Sequence, residues 1–448
     1  MRLPSLDRNI LSIALPSIIS NITVPLLGMV DVAITGHMGD VAVHDAMPAS
    51  FYVSAIAVGG MLFNIMYWLF GFLRMSTSGE TAQAFGRQDS FSQFYILVKA
   101  LLLASLFSVV LLLLSPLVRD IAMWYIHPET EVDALARTYF NICIWGTLPS
   151  LGLFVLNGWY IGMQNSRIPM FVAIGQNVLN ILASIVLVYA FHMRIEGVAY
   201  GTLLAQWMAF LVAILFFFKR YSSLWKSQRH SLPSLGVLWR QTLGFNATNR
   251  QHFSLFLRTL CLIVVHFMFI AAGAAQGSVE LAVNTLLMQF FTIYSYFMDG
   301  FAYAGEALVG RSIGAGDREE YHNLIRRLFL WGGAVALVFV ALYLFGGDHF
   351  MSVLTDDVQV LQRIGSYLPW TLLLPLCGMA SFMWDGIYIG ATAVREMLIS
   401  MAVSMLVFLL GYYTLVPLYA NHGLWLSFLA YLSCRGLMQT IMRRKIFS

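Results

Sequence analysis

"NGWYIGMQNSR", residues 157–167, returns as "DGIYIGATAVR" at 385–395, displaced by 228 residues. That return decides the fold. "QAFGRQD" (83–89) answers to "RSIGAGD" (311–317), again 228 apart, and "EGVAYGTLLAQ" (196–206) answers to "HGLWLSFLAYL" (422–432) at 226. Three ordered matches at nearly one displacement mark a duplicated chain, so the 448 residues carry one plan twice.

Both copies are written for lipid. The chain is 59% hydrophobic and 11% charged, with a mean hydropathy of +0.75, whereas soluble domains carry about 25% charged residues. Apolar runs of about 20 residues, enough to cross a bilayer as a helix, recur from end to end. Windows of helical length predict spans at 8–35, 49–79, 92–118, 134–161, 167–191 and 196–218, then at 251–275, 280–310, 321–346, 361–390, 396–417 and 422–442. The first run continues past Pro16 and Pro25 to about residue 35, too long for a cleavable signal core, and is read as a span. Cys143, Cys261, Cys377 and Cys434 all lie in apolar runs without metal or disulfide spacing.

With a cytoplasmic N-terminus, most Arg and Lys residues fall on the cytoplasmic side, the positive-inside pattern. Both termini are then cytoplasmic. The longest polar break, "KRYSSLWKSQRHSLPSLGVLWRQ" (219–241), is basic and lies near the midpoint. The expected organisation is a six-helix lobe at 1–218, a basic cytoplasmic linker at 219–245 and a second six-helix lobe at 246–448. Topology control accounts for the linker's charge; contact with membrane lipid headgroups is the second reading. Nothing in the net charge of +4 calls for nucleic acid. An even span count inserts both lobes the same way round, so the fold class is an all-α membrane protein with a parallel repeat about an axis along the membrane normal. Two such lobes meet at a central cleft, suited to alternating access.

A charge at the bilayer centre costs roughly 2.5–3.5 kcal/mol, so the exceptions are informative. "LLGMVDVAITGH" (26–37) carries Asp31 with no basic residue one turn away; it is the candidate proton-coupling group. Pro16 and Pro25 on the same helix each remove a backbone donor and allow a bend. "GQNVLNILAS" sets Asn177, Asn180 and Ser184 on one helical face, which with Asn157 forms a polar path or, on the plainer reading, interhelical hydrogen bonds. "MDGFAYAGEALVG" sets Asp299, Tyr303 and Glu306 on another face, and "MWDGIYIGA" adds Asp385. These four are candidates for a second-lobe cation or proton site or a substrate cavity, with Na+ an option at Asp299 and Asp385. The alternative for Glu306 is a solvated carboxylate at the cytoplasmic mouth. In "FLRMSTSGETAQAFG" (72–86), Arg74, Ser78 and Thr81 share a face and Glu80 suits a basic neighbour; a structural role is favoured. His266 reads as a core histidine.

There is no GxxxxGK[ST] loop, HExxH or Cys/His cluster, so ATP hydrolysis, an enzyme, a bound metal and a cofactor are not expected. An ion gradient remains as the energy source.

"ALPSIISNITVPLLGMVDVAITGHMG", "FLRMSTSGETAQAFG", "MDGFAYAGEALVGRSIGAGD" and "WDGIYIGATAVREM" resemble the DinF-like branch of the multidrug and toxic compound extrusion (MATE) family over almost the whole chain. The resemblance implies twelve helices in two lobes around a V-shaped cleft. It also implies export of amphipathic, often cationic compounds in exchange for protons or sodium ions. Asp31 matches the branch's proton-coupling aspartate, Asn180 its polar partner, Asp385 an acid tied to cation binding in other branches, and Asp299 and Glu306 eighth-helix acids. Ser184 departs from the aspartate that many relatives carry, leaving Asp31 the main acid of the first lobe, and residues 39–50 also look unlike relatives. The expectation is a monomeric secondary antiporter of the bacterial inner membrane handling small amphipathic substrates. A lipid-linked precursor flippase is the alternative, but it needs several cations lining the cleft, and Arg74 and Arg258 are the clear intraspan ones. An intramembrane enzyme using Asp299 and Asp385 is the remote alternative.

Overall fold

The chain runs through fifteen α-helices: α1 (Ser5–Gly36), α2 (Ala49–Leu69), α3 (Phe72–Gly86), α4 (Ser90–Ile126), α5 (Thr130–Cys143), α6 (Thr147–Gly162), α7 (Arg167–Ile185), α8 (Ile195–Arg220), α9 (Ser222–Gln228), α10 (Leu235–Leu243), α11 (Ala247–Gln276), α12 (Ser278–Ala315), α13 (Arg318–Leu354), α14 (Val358–Gly390) and α15 (Val394–Met442). The structure is a computed structural model that describes residues 5–36, 48–244, 247–355 and 357–443, and among them there is no strand. Within α1, the side chains of residues 24–29, 31, 32, 35 and 36 lie outside the described set. Asp31 and Pro25 therefore have a helical backbone and no described side chain, and most of the segment 39–50 is likewise outside the description.

Ten stretches among the described residues are long and apolar enough to cross a bilayer; α1 and the second arm of α15 complete six spans in each half. In lipid every backbone donor must be satisfied within the chain, and helices do this without a partner. Leu113, Leu215 and Phe345 stay exposed on the outside of the bundle, as lipid-facing side chains should. The span expected at 49–79 is two helices, α2 and α3, parted at Phe70–Gly71. The last two expected spans, 396–417 and 422–442, are the two arms of α15, parted at Ala420, whose φ of 46° and ψ of −126° lie outside helix geometry. The linker is not a plain polar break, because it folds into α9 and α10.

The same solutions recur at the sequence displacement. Asp89 caps α4 by accepting from Ser92 N, and Asp317 caps α13 by accepting from Glu320 N. Both caps follow a residue with a left-handed backbone, Gln88 (φ 57°) and Gly316 (φ 73°). Tyr160 donates its hydroxyl to the Ala213 carbonyl at 2.7 Å, and Tyr388 donates to the Gln439 carbonyl at 2.6 Å. Within the opening stretch, Gly158 and its counterpart Gly386 press against backbone: a Cβ there would lie 2.3 Å from Arg74 O and 2.2 Å from Ala302 O respectively. Four-residue glycine spacing is the close-packing device of membrane helices.

The two lobes touch mainly at one end, the end that carries the linker. A Cβ on Gly86 would stand 2.0 Å from Arg311 O, and one on Gly314 would stand 2.1 Å from Gln83 O, so α3 and α12 meet backbone to backbone. Gln83 Nε2 donates to Gly390 O at 2.9 Å and Gln164 Nε2 to Ala307 O at 2.7 Å. Along α1 the contacts run from Asp7, which accepts from Trp331 Nε1, to Asn21, which donates to Tyr296 O at 3.2 Å. Among the described residues no hydrogen bond joins the far ends of the lobes. The first lobe keeps a separate hydrophobic cluster there, with Tyr52, Phe63, Phe140 and Val198. That is the geometry of a cleft closed at the linker end.

Candidate functional site

The floor of this cleft holds the charges that the sequence placed inside spans. Arg74, on α3 of the first lobe, reaches Glu306 on α12 of the second. Its Nη1 and Nη2 donate to the two carboxylate oxygens at 3.0 and 3.2 Å. The Glu306 side chain is 1% exposed, so the solvated reading is corrected: this carboxylate is buried and paired. The guanidinium also lies 4.1 Å from the centroid of the Tyr303 ring. One turn of α12 thus offers Arg74 a carboxylate and an aromatic face together, which explains the spacing of Tyr303 and Glu306.

Asp385 on α14 is held more tightly. Arg258 (α11) and Arg435 (α15) both donate to its Oδ2, and Gln439 Nε2 donates to Oδ1 at 2.7 Å. All four side chains are buried, and both guanidinium Nε atoms lack a hydrogen-bond partner among the described residues. Charges buried at this depth persist only when paired and hydrogen-bonded. Two cations on one carboxylate leave a surplus positive charge nearby.

Asp299 stands beside these groups without closing a contact. It is half-buried, and among the described residues it makes no hydrogen bond or ion pair. It lies within electrostatic range of Arg74, Glu306, Arg258 and Arg435. The floor therefore combines carboxylates at Asp299, Glu306 and Asp385 with guanidiniums at Arg74, Arg258 and Arg435. Two carboxylates are occupied, and Asp299 is the uncommitted one.

The first-lobe residues do something different. Asn177 Nδ2 donates to Thr23 O on α1 at 2.9 Å, and Asn180 Nδ2 donates to Thr202 Oγ1 on α8 at 3.0 Å. Asn180 Oδ1, Ser184 Oγ and Asn157 Oδ1 are buried and have no hydrogen-bond partner among the described residues. Ser184 sits beneath Gly201, where a glycine Cβ would stand 2.4 Å from the serine hydroxyl. A larger acid at this position would push α8 away, so Ser184 and Gly201 suit each other. Pro16 lies in α1 above the seam, half-buried. Asn177 and Asn180 thus bond to neighbouring helices of the first lobe, and among the described residues no hydrogen bond joins the first-lobe polar groups to the charged floor.

Arg435 is the residue that the sequence reading missed. It stands in "AYLSCRGLMQ", within a span, and the rule that an intraspan charge is informative was the signal. At the repeat displacement, Asp385 answers to Asn157, while Arg435 and Gln439 answer to Ala209 and Ala213. The group around Asp385 therefore lies within the second lobe, while Arg74 reaches the floor from the first. Away from it, Glu80, Lys99, His252 and Ser76 line a small cavity between α3, α4 and α11, and Lys99 gives Glu80 its expected basic neighbour. His266 stacks edge-on to Trp68, with ring centroids 5.8 Å apart.

A profile of the MatE family matches residues 16–186 and 252–414. The chain is 36% identical over 444 residues to DNA damage-inducible protein F of Escherichia coli K12, covering 99% of this chain and 93% of that protein. It is 22% identical over 378 residues to the probable multidrug resistance protein NorM of Thermotoga maritima, covering 80% of this chain and 74% of that one. The crystal structure of the Vibrio cholerae MATE transporter VcmN in its bent form superposes with a TM-score of 0.84 at 16% identity, over 99% of this chain and 97% of that one.

Proposed function

The chain belongs to the MatE family, a family of transporters and not of enzymes, and on that premise we propose that it is a proton-coupled antiporter exporting amphipathic cations. It works as a monomer in the bacterial inner membrane, with both termini cytoplasmic, two lobes related by a parallel repeat, and no cofactor. The seam at the linker end then closes the cytoplasmic side, and the cleft faces outward. The observation that carries the substrate class is Asp299: a half-buried carboxylate on the cleft floor without a partner among the described residues, beside acids already matched by arginine. An organic cation supplies the partner it lacks.

In the cycle, Asp31 takes a proton from outside and loses its charge. α1 then bends near Pro25, and the cavity releases its cation outward. Proton coupling is preferred to sodium because a sodium ion at Asp385 would face two guanidinium groups on the same carboxylate. The flippase reading gains a third guanidinium in Arg435. It is weakened because Arg74, Arg258 and Arg435 are all engaged by carboxylates. The test is proteoliposome efflux of an ethidium-like cation under separately imposed proton and sodium gradients. Efflux driven by the proton gradient alone supports the proposal; efflux driven by sodium alone overturns it and moves coupling to Asp299.

A further inference from the structure

Between Glu196 and Glu280 the chain contains no acidic residue, yet residues 219–240 carry Lys219, Arg220, Lys226, Arg229 and Arg240. All five are exposed. Topology alone asks only that cations stay on one side; it does not ask for a fold that holds them apart from every acid. Some surface cations elsewhere are paired, Arg119 with Asp120 at 3.0 Å, Arg137 with Asp133 at 2.8 Å and Arg363 with Glu280 at 3.2 Å, but the linker gathers five exposed cations in one stretch without an acid. Among the described residues none of the five linker cations forms an ion pair.

The linker is also ordered into a platform. α9 docks on α4 and α8 and α10 docks on α4, with Leu238 on the buried face of α10 and Tyr95 donating to Gln241 Oε1 at 2.6 Å. Trp225 packs edge-on to Phe218 at the end of α8, and the Arg229 guanidinium lies 4.7 Å over the Trp225 ring. Val237 and Leu243 are 44% and 63% exposed. The α8 side chains Leu215 and Phe218, which face lipid, are exposed just before the linker begins, so the platform starts where the membrane ends. Outward-facing apolar residues interleaved with cations, at the mouth of a span, are the composition of an interfacial element that seats on anionic lipid.

From this we infer that α9 and α10 form a binding surface for anionic phospholipid headgroups, which supply the counter-charge that the chain withholds. Arg229, stacked on Trp225, and Arg240, on α10 beside Val237, are the central contacts. The bound lipid fastens the linker to the first lobe, so the hinge between the lobes is held at the membrane surface rather than free in water.

The inference is tested on the full-length protein by native mass spectrometry after extraction with phosphatidylglycerol, counting retained lipid. The triple variant Lys226→Gln, Arg229→Gln and Arg240→Gln should retain phosphatidylglycerol about fivefold more weakly for each cation removed. Salt near 1 M, where the screening length falls to about 3 Å, should strip the wild type to the same level. Arg119→Gln, a paired cation outside the linker, should change nothing. Phosphatidylcholine should be retained equally by all. The substituted side chains are exposed, and a single Arg240→Gln variant provides a smaller shift of the same sign. Wild-type retention by the triple variant, or an equal loss in Arg119→Gln, overturns the inference.

Discussion

Arg74 and Glu306 lie on opposite lobes and grip each other through two parallel hydrogen bonds of 3.0 and 3.2 Å. No other ion pair among the described residues ties the first lobe to the carboxylates of the cleft floor. Any motion that opens the linker end must move α3 relative to α12, so this pair stands at the point where a change of state is decided. Its two halves are also each other's main compensation for burial.

Removing one partner should therefore cost more than removing both. Arg74→Met or Glu306→Leu alone leaves a buried charge and should destabilise the protein by about 3–5 kcal/mol, whereas the double variant should recover most of that loss. Thermal unfolding in detergent measures all three. Equal losses in the single and double variants would show that the charges are satisfied from elsewhere.

Asp31→Asn should abolish proton-driven exchange while leaving a folded protein, because the substitution keeps the size of the side chain and removes its titration. Reconstituted variant protein that still exchanged drug for protons at the wild-type rate would remove Asp31 from the mechanism.

Asp299 and Asp385 should separate cleanly. Asp299→Asn takes away an uncommitted carboxylate, so binding of a cationic dye should weaken by about tenfold or more with little change in melting temperature. Asp385→Asn strands Arg258 and Arg435, so its first effect should be on stability. A dye titration and a melting curve on each variant decide the matter, and the reverse pattern would exchange the two roles.

At the seam, Gly86→Val and Gly314→Val should prevent closure at the linker end. A Cβ at either position meets backbone carbonyl oxygen at 2.0 or 2.1 Å, and backbone cannot step aside as a flexible side chain can. Spin-label distances across α3 and α12 should lengthen, and transport should fall. Unchanged distances would mean that the helices slide to make room.

Asp89 offers a pH test outside the spans. Hydrogen bonds from the Ser92 hydroxyl and amide hold its carboxyl below the ordinary value of 3.8. The folded value is depressed, so the cap's contribution is complete above pH 3.8 and fades as pH falls through the lower folded value. Asp89→Ala should cost about 1 kcal/mol near neutrality, and the gap to wild type should narrow only in strong acid. A gap that closes already at pH 5, in melts run across that range, would contradict this assignment.

How much of this was legible beforehand differs from residue to residue. The alignment of Asp299, Tyr303 and Glu306 on one face follows from helical periodicity, which is a local property, and it held. The break at Phe70–Gly71 was not legible, because an uninterrupted apolar run does not reveal a local turn. Arg435 was in plain view within a span, but its meaning depends on Asp385, 50 residues away in the chain.

The sequence by itself determined the lipid environment, the predicted spans, the repeat displacement and which carboxylates stand within spans, because bilayer thickness and helical period constrain residues close together in the chain. Only the tertiary structure decided which carboxylates are occupied. Glu306 is matched by an arginine from the other lobe and Asp385 by two from its own, while Asp299 makes no pair among the described residues. Pairing across such sequence separations depends on how helices cross, and that is settled by backbone approach at glycines such as Gly158 and Gly386. The two similar stretches at 157–167 and 385–395 each set such a glycine against backbone of a neighbouring helix.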